Sequence, residues 1–194
     1  ASEDEKTKLA LTDGTLLDYI PARRIAIPVD KDNAVASGIV REEDRDLMVD
    51  TVYINIAPKK RSIDKSEMML LDLLANFDWK RPIYFTQFSS PASLGLKDYL
   101  QLDGFAYRFV PIRTPSAPAK KTSDYLKVGR IDSEYLYDKL MNQFRYGNID
   151  DPRVYAEHTI QTNFRATFTR GRYAQLADQL LAEGDTTRAV EVLD

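Results

Sequence analysis

Residues 63–86, IDKSEMMLLDLLANFDWKRPIYFT, constrain the fold of this chain more than any other stretch. Asp64 followed three positions later by Glu67 is the pattern of a capping box, in which each residue satisfies a backbone N–H that the first helical turn leaves open. Ile63 and Met68 stand where a hydrophobic staple closes the same turn. From 68 to 77 the residues are apolar on nearly every side, interrupted by Asp72 and Asn76, and a helix apolar all round is expected to be buried. Pro82 then opens a strand-like run, 82–86, at the position where a missing N–H does least harm. Residues 52–56, β-branched and aromatic, read as a strand ahead of the helix. Strand, helix, strand predicts a right-handed βαβ unit with parallel strands.

The joint between that helix and its second strand holds the only Trp, Trp79, next to Lys80 and Arg81. An aromatic ring beside two cations invites a ligand-binding reading. The capped helix before it and the proline-led strand after it account for most of the run, so it reads first as a joint.

The rest of the chain fits a two-part plan. Length 194 allows one domain or two small ones, and 43% apolar residues suffice for a sizeable core. Residues 1–15 form a polar N-terminal segment, and 16–113 an α/β (or α+β) region with a small mixed sheet. Within it, residues 24–29 read as a short strand that Pro28 confines to an edge, 30–33 as a turn, and 41–46 as a solvated loop or helical turn. Residues 91–102 suit a short helix, Gly104 a turn and 105–112 an alternating strand. The low-complexity run 114–123 is a linker or mobile loop. An all-α region follows over 124–194. Asp132 or Ser133 caps a helix with Leu136, Leu140 and Phe144 on its face, and Asp151-Pro152 restarts one. A longer helix over 159–182 carries Phe164, Phe168, Leu176, Leu180 and Leu181 on its apolar side. From about 163 the spacing of Ala177, Leu180, Gly184, Ala189 and Leu193 matches a single, truncated tetratricopeptide-like hairpin, which predicts an excised piece of a longer chain.

Chemistry is sparsely signalled. Net charge is −3 with scattered Lys and Arg, which excludes nucleic acid as a main partner. Without cysteine there is no thiolate nucleophile or thiolate metal site, and His158, the single histidine, allows no multi-histidine centre. The glycines form no phosphate-binding pattern, and the carboxylates fall at turns, caps and solvated runs, so no catalytic residue, metal ligand or cofactor is assigned. The eleven tyrosines read as core and rim packing more than as a binding platform. In an open parallel sheet ligands collect beyond the carboxyl ends of the strands, which points to Thr86, Gln87, Ser89 and Ser90. No apolar run approaches the ~20 residues that span a bilayer, so the fragment itself is expected to be soluble.

Four blocks carry a family likeness: EMMLLDLLANFDWKRPIYFT (67–86), LGLKDYLQLDGFAYRFVPI (94–112), LYDKLMNQFRYGNIDDPRVY (136–155) and NFRATFTRGRYAQLADQLLAEGD (163–185). Together they resemble the C-terminal region of a bacterial family of multi-pass membrane proteins of unassigned function. The membrane half of that family resembles protein O-mannosyltransferases, the lipid-linked-sugar-dependent glycosyltransferases of the GT-C type. The resemblance implies a non-catalytic accessory domain on the extracytoplasmic (periplasmic) face, presenting or recognising a glycan or peptide acceptor or packing on its own membrane half. The catalytic acid of such enzymes lies in the membrane half, so none is carried over to this chain. In that setting Trp79 and Arg81 are expected to contact the membrane half or the helical region. The alternative is a protein-interaction module acting through residues 163–194, without a sugar role.

Overall fold

A computed structural model describes residues 8–10, 12–18, 22–58, 60, 62–87, 89–115, 128–147, 151, 153–155, 157–159 and 169–194. A short hairpin, β1 (Lys8–Ala10) and β2 (Leu16–Asp18), leads into β3 (Arg24–Pro28), which pairs antiparallel with β4 (Thr51–Asn55). Helix α1 (Lys31–Ala36) lies between them, and Asp30 caps it by accepting from the Asn33 N–H. The residues expected to form a turn at 30–33 therefore start a helix, because an acceptor side chain three residues before a free N–H serves either structure. A 3-10 helix (Glu42–Leu47) takes the place of the charged run.

Helix α2 (Lys65–Ala75) starts as its sequence predicts: Asp64 accepts from the Glu67 N–H at 2.8 Å and Glu67 accepts from the Asp64 N–H at 3.0 Å. Strand β5 (Tyr84–Phe85) follows, then α3 (Ser89–Ser93), β6 (Leu100–Asp103) and β7 (Ala106–Phe109), in the antiparallel order β5-β7-β6. Mixed α/β architecture with a helical C-terminal region is thus as expected, but the parallel βαβ pairing is not. The strand before α2 and the strand after it lie in different sheets, each antiparallel to another partner. A two-residue β5 offers β4 little ladder, whereas the β6–β7 hairpin, turning at Gly104, supplies a ready neighbour. Residues 100–102, expected to end a helix, belong instead to that hairpin's first strand.

Two apolar clusters form the interior. The first joins Ile27, Val52 and Ile54 to Leu70, Leu74, Trp79, Leu94 and Phe109. The second joins Leu100, Leu102 and Tyr107 to Leu136 and Leu140, and to Leu176, Leu180, Ala189 and Val192. Helix α4 (Ser133–Tyr137), capped by Asp132, runs on as a π-helical turn to Gln143. Helices α5 (Arg170–Glu183) and α6 (Thr186–Leu193) pack as the expected hairpin, with Gly184 at φ 87° closing the first and Asp185 capping the second. Residues 153–154 form a turn, not a restarted helix. Phe164, Phe168 and the linker positions 116–123 lie outside the described residues.

A polar layer couples the two clusters. The Arg130 guanidinium grips the Asp44 carboxylate with two bonds, at 2.8 and 3.0 Å, and donates a third to Gln101 Oε1. Arg41 reaches Asp132 at 2.8 Å, and the buried Arg108 donates to the Gly38 carbonyl. Paired charges at such depth fix orientation as much as they add stability.

Candidate docking site

Helix α2 does not behave as a buried helix. Leu70 and Leu74 point into the first cluster, while Met68, Met69 and Leu73 are 58%, 66% and 51% exposed. Continuous apolar sequence therefore marks two surfaces here, one facing the core and one facing out. On one flank the helix draws away from β3 and leaves an apolar cleft of about 410 Å³. Ile25, Ile27 and Ile54 form its sheet wall, Met68, Leu71, Asp72 and Ala75 its helix wall, and Phe77 its end.

Strand β3 is the open lip of this cleft, since β4 is its only strand neighbour among the described residues. The direction of its backbone groups follows from the register. Val29 N–H donates to Asp50 and Ile56 N–H donates to Arg23, so residues 23, 25, 27 and 29 bond toward β4. Alternation then turns the backbone groups of Arg24, Ala26 and Pro28 outward. Two bonds agree with this assignment: Asn55, opposite Arg24, donates away from β3 to Leu94, and the outward Pro28 carbonyl accepts from Trp79 Nε1 at 2.8 Å. Pro28 has no N–H to offer, and its carbonyl is satisfied. Among the described residues, the open part of the edge is Arg24 and Ala26.

Trp79 stands behind Phe77 at the Pro28 end of β3. It is 1% exposed, stacks on Phe109 with centroids 5.4 Å apart and touches Phe77 at 4.6 Å. Its φ of 61° is a left-handed conformation rare for a bulky side chain. Helix α1 holds it there: Asn33 Nδ2 donates to the Asp78 carbonyl at 3.0 Å and Ser37 Oγ to the Trp79 carbonyl at 2.8 Å. At the other end Arg23 donates to the carbonyls of Ala57 and Lys60, and Lys60 Nζ lies 2.7 Å from Glu67 Oε1. Burial pushes the Glu67 carboxyl up, but Lys60, the Ser93 hydroxyl and the Asp64 N–H outweigh it and hold the group below its ordinary range. Arg24 lies 3.8 Å over the Tyr53 ring. Arg23, Arg24 and Lys65 are exposed and have no carboxylate partner among the described residues, so this end is cationic.

Two larger depressions among the described residues have mixed linings and spend their charges internally. In one, Lys31 pairs with Asp50 at 2.7 Å and Arg45 with Asp32. In the other, between residues 128–131 and α5, Arg130 is bound to Asp44, Gln175 accepts from Arg172, and Gln179 donates to Glu183. Tyr84 and Tyr135 both donate to Asp103, and burial with that bond pushes the Tyr84 hydroxyl up to about 12. Tyr107 is buried and accepts from Arg172, so the tyrosines described here serve packing and its rim.

The residues singled out from sequence fall elsewhere. Thr86 and Gln87 are exposed in the β5–α3 connection and Ser89 is exposed at the first position of α3, followed by Ser90; Thr86, Gln87 and Ser89 do not line the cleft. They were placed by the rule for parallel sheets, and the sheet they border is antiparallel. Trp79 is buried in the first cluster, whereas Arg81 is exposed. His158 is exposed. The cleft itself had one legible signal, Pro28, which marked β3 as an edge.

No helix among the described residues is long and apolar enough to cross a membrane. No curated protein and no solved structure matches the chain. Residues 1–135 match the family described as TMEM260-associated domain 2, a span that takes in every strand and both walls of the cleft. The chain therefore belongs to the TMEM260-associated domain 2 family and is an accessory domain of a TMEM260-like membrane protein.

Proposed function

We propose that this domain stands on the extracytoplasmic (periplasmic) side of the membrane and holds a polypeptide acceptor for a lipid-linked-sugar-dependent glycosyltransferase in its own membrane half. In this reading it performs no chemistry itself. The observation that carries it is the apolar cleft with an open strand edge, which lies inside the family-matching span. Three apolar helix residues left exposed beside an unfilled cleft suit a surface made to be covered. The similarity of the 67–86 and 94–112 blocks to proteins with an O-mannosyltransferase-like membrane half supplies the reaction class.

The test uses the full-length membrane protein. Deleting the domain is expected to lower sugar transfer onto protein acceptors at least tenfold, while binding of the lipid-linked donor is unchanged. Full transfer after deletion overturns the proposal.

A second reading rests on a separate observation. Leu181, Val190 and Leu193 are 51%, 59% and 62% exposed on the α5–α6 hairpin, a face suited to protein docking without a sugar role. It predicts that Val190→Asp with Leu193→Asp abolishes partner capture and leaves glycosyl transfer untouched.

A further inference from the structure

We infer that the β3–α2 cleft binds its polypeptide by strand addition. An extended segment lies antiparallel to β3, its backbone bonded to Ala26 and Arg24 and its alternate side chains set into the cleft. This rests on the acceptor-holding reading above and gives it a recognition chemistry: backbone pairing, apolar residues two apart, and an acidic C-terminal end.

Each element has its own support. The outward groups of Arg24 and Ala26 are spaced two residues apart on an edge that no other strand covers among the described residues, which is the template an added strand requires. Immediately inside that edge, Ile25 and Ile27 face Met68, Leu71 and Ala75 across about 410 Å³. Side chains on one face of an added strand recur every second residue and enter that space, while the intervening ones face solvent. Length is bounded at one end, where Pro28 offers no N–H and its carbonyl is already taken by Trp79. The register is thus set by the protein and not by the ligand alone.

Charge sets direction. The end of β3 carries Arg23 and Arg24, with Lys65 at the start of α2, and the carboxylates near it among the described residues are engaged: Glu67 by Lys60, Asp64 by the α2 cap and Asp98 by Arg113. At the other end, Asp30, Asp32, Asp50 and Asp78 are interleaved with Lys31, Arg45 and Lys80 in ion pairs and caps. An acidic C-terminal end lies beside Arg24 only if the segment runs antiparallel to β3.

The probe is a fluorescein-labelled nonapeptide of alternating Val and Thr ending in Asp-Glu, titrated into this chain at low salt. Saturable binding is expected, with protection of the Ala26 and Arg24 amides from hydrogen exchange. Ala26→Pro, which removes an outward N–H and no bond to β4, is expected to weaken binding at least tenfold with unchanged circular dichroism. A peptide ending in Lys-Lys is expected to bind at least threefold more weakly, and the difference is expected to vanish at high salt. Binding without amide protection, or undiminished binding to Ala26→Pro, overturns strand addition and leaves the accessory role standing. Equal binding of the two charge forms overturns the assigned direction. The accessory role fails separately, if domain deletion leaves glycosyl transfer intact. Because the exchange measurement uses the unaltered chain, the inference is decided even if Ala26→Pro does not fold.

Discussion

The two larger sheets of this domain treat their edges in opposite ways. In the β5-β7-β6 sheet, the outer side of β6 is sealed: Leu102 N–H donates to the Arg130 carbonyl, and Arg130 N–H donates to the Leu100 carbonyl at 2.7 Å. The Arg130 side chain then crosses to Asp44 and ties the seal to the first core cluster. In the β3–β4 sheet, among the described residues, the outer side of β3 is met only at Pro28, by the Trp79 indole. Exposed edges invite association and are usually covered or blunted. The chain seals the β6 edge with backbone, guanidinium and carboxylate, yet among the described residues leaves two residues of the β3 edge uncovered beside an apolar cleft.

The sharpest way to break the comparison is to open the sealed edge. Gly129 adopts φ +78°, and a Cβ there would come within 2.0 Å of the Leu100 carbonyl oxygen, the acceptor in the seal. Gly129→Ala is expected to cost at least about 3 kcal/mol, because backbone clash and left-handed strain add at a site that cannot relax sideways. Urea denaturation measures it, and a cost below about 1 kcal/mol would show that the seal is dispensable. Next in size is Arg130→Ala, which keeps the backbone seal but strands Asp44, a buried carboxylate. A loss of about 2–3 kcal/mol is expected from the unpaired charge, softened because Arg41 lies 3.6 Å from the same carboxylate.

How much of this was legible in the sequence follows from which interactions are local. The α2 start, the Asp132 cap, the α5–α6 turn and the edge character of β3 are signalled by residues within a few positions of one another, and the structure bears each one out. Strand partners are not local. Nothing in residues 52–56 or 82–86 records that β3 and β7 would pair with them, so the parallel unit, and the site at Thr86–Ser90 that depended on it, had no independent support. Trp79 is the instructive case. Its neighbours Lys80 and Arg81 suggested an exposed contact, but its partners, Pro28 and Phe109, lie 51 and 30 positions away in sequence. The cleft was hidden for a related reason: an apolar run reports that a helix has apolar faces, not that all of them are covered.

A pH series sharpens the role of the cationic end. Glu67 is 2% exposed and its carboxyl is held below the ordinary 4.5, so its folded-state pKa lies beneath its unfolded one. The stability it contributes is complete above the unfolded value and is lost as pH falls through the folded one. Glu67→Gln is expected to cost about 1–2 kcal/mol at neutral pH through the weakened bonds to Lys60 and the cap. Measured against the unaltered chain at pH 7 and at pH 3, the gap is expected to narrow in acid; a gap that stays constant would mean that charge at this position is irrelevant to the fold.

The smallest effect is the one that separates the two faces of α2. Met69 is 66% exposed and lines neither core nor cleft, so Met69→Lys is expected to change stability by less than about 0.5 kcal/mol, as exposed substitutions ordinarily do. Were α2 the all-round buried helix that its sequence suggests, placing an ammonium there would cost several times as much, about 2 kcal/mol or more. The same chemical denaturation curve therefore distinguishes a core helix from one that lends only one face to the core. If Met69→Lys proves neutral, the apolar outer residues of α2 owe nothing to folding, and a surface that folding does not need is the kind that a partner explains.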